Sequence, residues 1–395
     1  MSSFEFVAVM FLVVGLFSEI WFRFRNRDSH ILKVAKAEIN LSESKYLFGD
    51  SEQMEKHPAY SRHGLGDRAF YDELQASHKK VSVSPLKIPD VVGSYINILN
   101  GERITTSIGE KKDKDVEHWI LLGGSTALCL EVPDSMTWAS CLQATADKSV
   151  NCAIQVHNFG RAGFKAAKID TLFPLFLSRY KTVTRIIVYF GVNDAGWIAG
   201  SRPNNRLIYL CDLVMDMLSV VSRFVAFLNL RMRSRRVHRT STKYAKKTIR
   251  KFSEYKNYFE TKGIEIIFFL QPNVFCKSHP SKLELSLIES AEPLRITGLH
   301  AAYDTYLSRG DGLITSAIDA FSGLDQTIFI DWCHVGVEGN SIIAQKIWGL
   351  INGFSVSEDE SLAAINGLKN YRDIALRSRN IFKNKDEIAY NYPLY

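Results

Sequence analysis

The segment Trp119-Ile120-Leu121-Leu122-Gly123-Gly124-Ser125-Thr126 joins a short apolar run to a glycine-rich turn and a serine. Three later segments also follow short apolar runs: Asn158-Phe159-Gly160, Gly191-Val192-Asn193-Asp194 and Asp331-Trp332-Cys333-His334. Continuous runs of this kind are typical of parallel strands buried on both faces of a sheet. The carboxyl ends of parallel strands meet at one edge of the sheet, so we expect the four segments to meet there.

The side chains brought to this edge have the chemistry of acyl transfer. Ser125 is a weak nucleophile, and His334 can act as the base that removes its proton. Asp331 can accept a hydrogen bond from the other ring nitrogen and stabilise the imidazolium. The Ser125 and Gly160 amides and the Asn193 side chain can donate to the negative oxygen of a tetrahedral intermediate. The sequence therefore predicts a serine esterase with a catalytic triad and an oxyanion hole.

Each segment alone has a simpler interpretation. Gly-Gly-Ser-Thr after a strand is a common turn, an aspartate before a helix is an ordinary N-cap, and Asn-Asp pairs favour turns. Order and context favour the catalytic interpretation. Chance would otherwise have to supply a nucleophile, a base, an orienting acid and oxyanion donors together.

On these four motifs the chain resembles the SGNH (GDSL-type) hydrolases, over about residues 116–352. The resemblance implies a flavodoxin-like three-layer α/β/α sandwich with a central parallel sheet. It also implies that Ser125 is the nucleophile, that Gly160 and Asn193 are oxyanion donors, and that Asp331 and His334 complete the triad.

The first motif departs from the common Gly-Asp-Ser of that family, because Gly124 replaces the aspartate, as in a Gly-Gly-Ser-Thr subgroup. Resemblance to this subgroup implies an O-deacetylase or acylesterase that acts on an acylated saccharide or a related membrane-proximal substrate. An acyltransferase would use the same residues and is the alternative. A membrane-associated binding protein on a decayed esterase fold is a second class, and the intact triad and oxyanion set argue against it.

Alternating strand-like and helix-like runs support a parallel sheet with helices on both faces. The predicted strands are 119–122, 153–157, 185–190, 264–270 and 327–330. The predicted helices are 134–148, 164–180, 240–262, 282–308 and 337–351.

The N-terminus predicts a transmembrane helix with a basic flank, together residues 1–27. Residues 6–22 are apolar except at two positions, and three arginines follow; about 20 apolar residues span a bilayer. The alternatives are a cleaved signal peptide, which would carry positive charge before the apolar run, and a helix buried against the domain. The arginines favour the cytoplasmic face for the catalytic domain. The periplasmic or extracellular side stays open, because many enzymes of the resembled kind act on exported glycans.

Residues 201–251 form an insertion in the catalytic region. Four polar residues of 207–230 fall on one helical face, namely Asp212, Asp216, Ser219 and Arg223. Residues 231–251 contain ten Lys or Arg and no acid, so the net charge of +7 would be −3 without them. A solvated helix face and docking on anionic lipid headgroups are both open. Nucleic acid is not expected as a partner, because no recognition motif accompanies the charge.

The remaining features concern cofactors and the two ends of the chain. The six cysteines show no Cys-x-x-Cys spacing and are predicted to be free thiols, and we expect no metal and no cofactor. The expected partners are an ester substrate, small or saccharide, and the membrane. Residues 28–115 are predicted to be a leader that docks on the core, with a hairpin in 97–108. Residues 353–395 form a polar C-terminal tail.

Overall fold

The computed structural model describes residues 50–81, 88–106, 116–148, 153–195 and 223–353, with individual residues within 208–216 and 366–373. The strands are β1 Ile98–Leu99, β2 Glu102–Arg103, β3 Glu117–Gly123, β4 Ile154–Asn158, β5 Val183–Phe190, β6 Glu265–Leu270 and β7 Ile314–Ser316. The α-helices are α1 Ser51–Lys56, α2 Pro58–Ser61, α3 Arg68–Val81, α4 Ser125–Leu128, α5 Trp138–Asp147, α6 Phe173–Leu177, α7 Arg223–Glu260, α8 Lys282–Ser290, α9 Pro293–Arg309 and α10 Val337–Ile351. Short 3-10 helices cover Asp134–Met136, Ala166–Leu172, Val192–Asp194 and Val274–Cys276.

The strands form one sheet in the order β1-β2-β4-β3-β5-β6-β7. Strands β4, β3, β5, β6 and β7 pair in parallel, in the order typical of flavodoxin-like sheets. Their apolar residues are buried on both faces, as Ile120, Leu121 and Leu122 of β3 illustrate, and this explains the continuous runs in the sequence. Strands β3 and β4 each end at the first residue of a motif, Gly123 and Asn158, and β5 ends just before the motif that begins at Gly191. The sheet therefore brings these motifs to one edge.

Helices cover both faces of the sheet. Helices α5 and α10 pack together, and the Trp119 ring lies 5.9 Å from the Trp348 ring of α10. Helix α7 packs against α9 and β6, with Phe252 stacked 3.9 Å from Phe268. Right-handed crossovers between parallel strands place these two groups on opposite faces. The architecture is a three-layer α/β/α sandwich around a mixed sheet.

A hairpin with a two-residue turn lies at one edge of the sheet. Strand β1 pairs antiparallel with β2, and β2 pairs antiparallel with β4 through Arg103 and Asn158. The turn residues Asn100 and Gly101 have φ values of 53° and 75°, which suits the type I′ turns that connect such hairpins. The hairpin predicted in 97–108 is thus present. The domain boundaries themselves stay a prediction.

The predicted strand at 327–330 is wrong. Residues 328–330 are buried, but the only bridge that they form is an isolated one between Phe329 and Val335. The Ile328 and Phe329 amides donate to the Glu284 carboxylate, at 2.9 and 3.0 Å. A buried side chain therefore satisfies the backbone groups that a strand ladder would otherwise pair. The fifth parallel strand is instead β7.

Two predicted helices are interrupted. The segment predicted as 164–180 is a 3-10 helix followed by the short α6, whose first turn contains Pro174. The segment predicted as 282–308 divides into α8 and α9, and Pro293 begins α9. Proline has no N–H to continue a preceding turn, so both breaks have a local cause.

The basic part of the insertion lies on α7, which is about 57 Å long at 1.5 Å per residue and starts 17 residues before the predicted 240. Five basic residues spaced four apart are exposed: Arg231, Arg235, Arg239, Lys243 and Lys247. Two others pair with the preceding segment, where Asp216 accepts from Arg233 at 3.1 Å and Asp212 from Arg236 at 2.6 Å. The exposed row is called the basic stripe below.

The membrane part of the predicted fold and localisation is corrected. Within the described residues, no helix is long and apolar enough to cross a bilayer. Residues 6–22, on which that prediction rested, lie outside the described part of the chain. The assignment of a transmembrane helix and of a single-pass membrane protein is therefore not retained.

Candidate active site

Ser125 begins α4 directly after β3. The strand end before it approaches β5 closely, because a β-carbon on Gly123 would lie 2.5 Å from the Tyr189 carbonyl oxygen. The hydroxyl of the next residue, Thr126, donates to Gln271 at 2.9 Å, and the Trp138 indole donates to the Thr126 carbonyl at 3.1 Å. Ser125 itself is half-buried. The turn therefore holds the Ser125 hydroxyl at the carboxyl edge of the sheet.

His334 lies against Ser125. Its Nε2 atom is 2.8 Å from the Ser125 Oγ, which is hydrogen-bond distance for a base and a nucleophile. The ring is buried, with 5% of the residue exposed. The predicted nucleophile and base, 209 residues apart in sequence, are in direct contact.

Asp331 completes the contact on the other side of the ring. Its Oδ2 atom lies 2.7 Å from the His334 Nδ1, and its Oδ1 accepts from the Cys333 and His334 amides at 2.7 Å each. Burial acts to raise the pKa of Asp331, but His334 and these two amides outweigh it, so that the pKa is lowered. Asp331 is thus held as a carboxylate that faces the imidazole.

Asn193 lies over the turn before Ser125. Its Nδ2 atom donates to the Phe164 carbonyl at 3.2 Å, and a β-carbon on Gly124 would lie 2.3 Å from the same nitrogen. The Asn193 amide therefore occupies the space in which an aspartate side chain at position 124 would begin. This is a physical reason for the glycine in the first motif.

Gly160 lies equally close to α4, since a β-carbon there would meet the Leu128 amide nitrogen at 2.3 Å. Its own amide donates to the Asn158 Oδ1 at 2.9 Å, while the Asn158 Nδ2 donates to the Ala127 carbonyl at 2.8 Å. Asn158 therefore ties the second motif to the helix that carries Ser125. The Gly160 amide can reach a substrate oxygen only as a donor shared with Asn158.

Glu131 was not predicted as a site residue. It is 3% exposed, and its Oε1 atom lies 3.5 Å from the His334 Nε2. Burial raises the pKa of Glu131, and His334 counteracts this effect. A cavity of about 10 Å³ beside Glu131 and His334 is lined by further residues of the site, Thr126, Cys129, Tyr189 and Asn340 among them. That is close to the space one water molecule needs.

Leader residues support the loops of the site. Arg103, fully buried, donates to the carbonyls of Leu128, Cys129 and Val132 at 3.3, 2.9 and 2.7 Å, and to Asp134 at 2.7 Å. It thereby holds the loop that carries Glu131.

A second leader contact reaches the segment before Asp331. Arg62 donates to the Thr327 carbonyl at 2.7 Å and to Glu338 at 2.9 Å. A β-carbon on Gly336 would lie 2.6 Å from the Ala59 β-carbon. Helix α2 therefore packs directly against the loop that follows His334.

Asp331, Cys333 and His334 offer ligand atoms within 4.8 Å of one another, as a metal site would require. The Asp331 oxygens, however, already accept hydrogen bonds from His334 and two amides. Burial raises the pKa of Cys333 to about 11, so that without a metal it is a thiol near neutral pH. The geometry fits hydrogen bonding, and the expectation that no metal is used stays a prediction.

No protein-family model matches the chain, and no curated protein matches it in sequence. A solved structure of a member of the lipolytic protein G-D-S-L family from Veillonella parvula matches 60% of this chain and 99% of its own, at 13% identity and a TM-score of 0.35. A lipase from a goat rumen metagenome matches 60% of this chain and 98% of its own, at 12% identity and a TM-score of 0.36. An extracellular lipase from Streptomyces rimosus matches 60% of this chain and 100% of its own, at 10% identity and a TM-score of 0.32.

The chain resembles the GDSL-type lipolytic proteins. Of these three solved structures, the one from Veillonella parvula carries the G-D-S-L family name. At such identities and TM-scores the likeness adds no weight to the role of any residue. Those roles rest on the distances within the site.

Proposed function

We propose that this chain is an SGNH-type serine esterase that forms an acyl-enzyme on Ser125. The observation that carries the proposal is the unbroken series of contacts from the Ser125 Oγ to the His334 Nε2 at 2.8 Å and from the His334 Nδ1 to Asp331 at 2.7 Å. An activated nucleophile of this kind attacks acyl groups, and no cofactor is needed for the reaction.

In the proposed mechanism, the Ser125 Oγ attacks the ester carbonyl carbon while His334 takes the hydroxyl proton. Asp331 stabilises the resulting imidazolium. The Asn193 side chain and the Ser125 amide donate to the tetrahedral oxyanion, with the Gly160 amide as the shared third donor. His334 returns the proton to the leaving alcohol, which produces the acyl-enzyme. Water then attacks the acyl carbon while His334 takes its proton. His334 returns that proton to the Ser125 Oγ as the bond to the acyl carbon breaks, and the free acid leaves.

For the substrate we propose an O-acetyl or other short acyl ester on a saccharide. The support is the sequence Gly123-Gly124-Ser125-Thr126 and its resemblance to saccharide-modifying members of the family. Acyl transfer to a second alcohol would use the same residues and would differ only in the acceptor that reaches the acyl-enzyme.

An ester panel from acetate to long-chain acyl groups, on aryl and saccharide alcohols, tests the proposal. We expect turnover on the shortest esters and its loss in Ser125→Ala. Ser322→Ala is the matched control, since Ser322 is half-buried like Ser125 and lies in the turn after Phe321. Adding an acceptor saccharide and measuring the acylated product against free acid separates transfer from hydrolysis. Equal rates in wild type and Ser125→Ala would refute the proposed function.

A further inference from the structure

The imidazole of His334 has a carboxylate near each of its nitrogens. Asp331 lies 2.7 Å from Nδ1, and Glu131 lies 3.5 Å from Nε2. Nε2 is also the nitrogen that contacts the Ser125 Oγ at 2.8 Å. The triad accounts for Asp331 and Ser125 but leaves Glu131 without a role.

The position of Glu131 is held from several sides. Two residues before it stands Cys129, whose φ of 54° lies in the left-handed region that few non-glycine residues adopt. The guanidinium of Arg103 binds carbonyls on both sides of Glu131 in the chain, those of Cys129 and Val132. Leaving a carboxylate almost fully buried is unfavourable unless charge or hydrogen bonds compensate. Glu131 thus lies beside His334 on a loop that contains a left-handed residue and is held by hydrogen bonds from Arg103.

We propose that Glu131 is a second carboxylate partner of His334, which stabilises the imidazolium that forms while Ser125 is acylated. This proposal rests on the proposed esterase function. When His334 takes the Ser125 proton, positive charge develops on a ring that lies between two carboxylates. Attraction between charges is stronger at a buried site than in water, so the second carboxylate lowers the energy of the ion pair.

Other titratable groups also face this site. Tyr60 of the leader and Asp331 interact electrostatically with Glu131, as do Arg103 and the Cys129 thiol. Arg103 is positive and favours the ionised carboxylate, whereas Asp331 is negative and disfavours it. Because burial raises the pKa of Glu131, the carboxylate becomes anionic at a higher pH than an exposed glutamate. Below that pH it is neutral and gives the imidazolium no support.

The test is the pH dependence of kcat/KM in Glu131→Gln, over about pH 4–9. Glutamine keeps the shape of the side chain and removes the charge. We expect the plateau to fall about tenfold and the midpoint of the acidic limb to move about one unit lower, because one unit corresponds to a factor of ten in imidazolium stability. A purely structural role would lower the plateau and leave the midpoint in place, and that result would overturn the proposal.

Two further variants complete the test. Glu131→Asp keeps the charge at a greater distance, and we expect its midpoint to lie closer to wild type than that of Glu131→Gln. If Glu131→Gln does not fold, a Glu131→Asp midpoint identical to wild type with an unchanged plateau overturns the proposal. Glu117→Gln is the matched control, since Glu117 is half-buried and lies at the other end of β3, about 20 Å along the strand from Gly123. It should leave the profile unchanged.

The outcome for Glu131 is separable from that for the esterase. If Ser125→Ala is inactive while Glu131→Gln keeps the wild-type midpoint, only the role of Glu131 fails. If Ser125→Ala retains the wild-type rate, the esterase proposal fails and the role of Glu131 fails with it.

Discussion

Arg62 donates a hydrogen bond to the Thr327 carbonyl at 2.7 Å, four residues before Asp331. The donor belongs to the leader, and the acceptor lies in the segment that leads to two members of the triad. The same guanidinium binds Glu338 at the start of α10. The leader thus helps to hold the loop that carries Asp331 and His334.

Removing this contact should weaken both the fold and the site. We expect Arg62→Ala to lower the free energy of unfolding by about 1–2 kcal/mol, because a charge-assisted hydrogen bond to a part-buried carbonyl is lost while the exposed ion pair adds little. Turnover should fall as well, since the loop of Asp331 loses support. Denaturation curves and ester hydrolysis measure the two effects. Arg68→Ala, which removes an exposed ion pair on α3, should change neither.

The triad should act as a unit. We expect Ser125→Ala and His334→Ala each to lower turnover by several orders of magnitude, and the double variant to lose little more than either alone. Single-turnover and steady-state rates on the best ester of the panel provide the comparison. Strictly multiplicative losses would show that the two residues act independently, which the 2.8 Å contact does not allow.

Asn193 should contribute only in the transition state. We expect Asn193→Ala to lower kcat by about 10²-fold with KM nearly unchanged, because one oxyanion donor is lost. Asn352→Ala, at the end of α10, is the control of the same chemical type. A rise in KM with kcat intact would instead mean that Asn193 binds the ground-state substrate.

Asp194 makes the stability of the fold depend on pH. Burial raises its pKa from 3.8 to about 7, against the opposing effect of Lys165 and nearby backbone amides. Between these values the folded state binds more protons than the unfolded state, so the free energy of unfolding falls as the pH rises from about 4 to about 7.

Asp194→Asn should remove this decrease in the free energy of unfolding with rising pH. We expect the free energy of unfolding to rise by about 2–4 kcal/mol near pH 8 and to change little near pH 3.5. Denaturant titrations at the two pH values measure it, with the exposed Asp311→Asn as the control. A stabilisation of equal size at both pH values would refute the assignment to Asp194.

The basic stripe on α7 predicts that the protein adsorbs to anionic lipid headgroups. An anionic lipid surface as a partner stays a prediction. We expect binding to vesicles that contain phosphatidylserine, weakened by salt, because each basic residue near such a surface contributes about 1 kcal/mol. Replacing Arg235, Arg239, Lys243 and Lys247 by glutamine should abolish it. The same replacement of four exposed lysines elsewhere, Lys79, Lys80, Lys262 and Lys282, should have a smaller effect. Vesicle sedimentation that does not distinguish the two variants would identify a solvated helix face.

Much of the sheet could be predicted from the sequence, because β3, β5 and β6 contain continuous apolar runs. In β4 only Ile154 and Val156 are apolar. Strand β7 could not be predicted, since Ile314-Thr315-Ser316 is short and mostly polar. The run at 327–330 was misleading for the opposite reason. Its side chains are buried like those of a strand, but Glu284, distant in sequence, satisfies its amides.

The site residues also divide into those that the sequence predicts and those that it does not. Ser125, Asn193, Asp331 and His334 could be predicted because each stands in a motif whose residue types suit one reaction. Asn158 also stands in a motif, and its polar side chain at the end of a predicted strand was a usable signal. Glu131 and Arg103 carry no local signal, because only tertiary packing brings a lone acid to His334 or a leader arginine beneath the loop after Ser125.

The edge strands of the sheet bear on whether copies of this protein can pair through their backbones. Strand β1 is two residues long and β7 three, so within the described residues neither margin offers another extended chain more than a few backbone groups to pair with. The hairpin pairs with the five-residue β4 only at Asn158, through Arg103. That pairing depends on the turn at Asn100 and Gly101. A β-branched residue at Gly101, where φ is 75°, would weaken that turn and free the carboxyl end of β4.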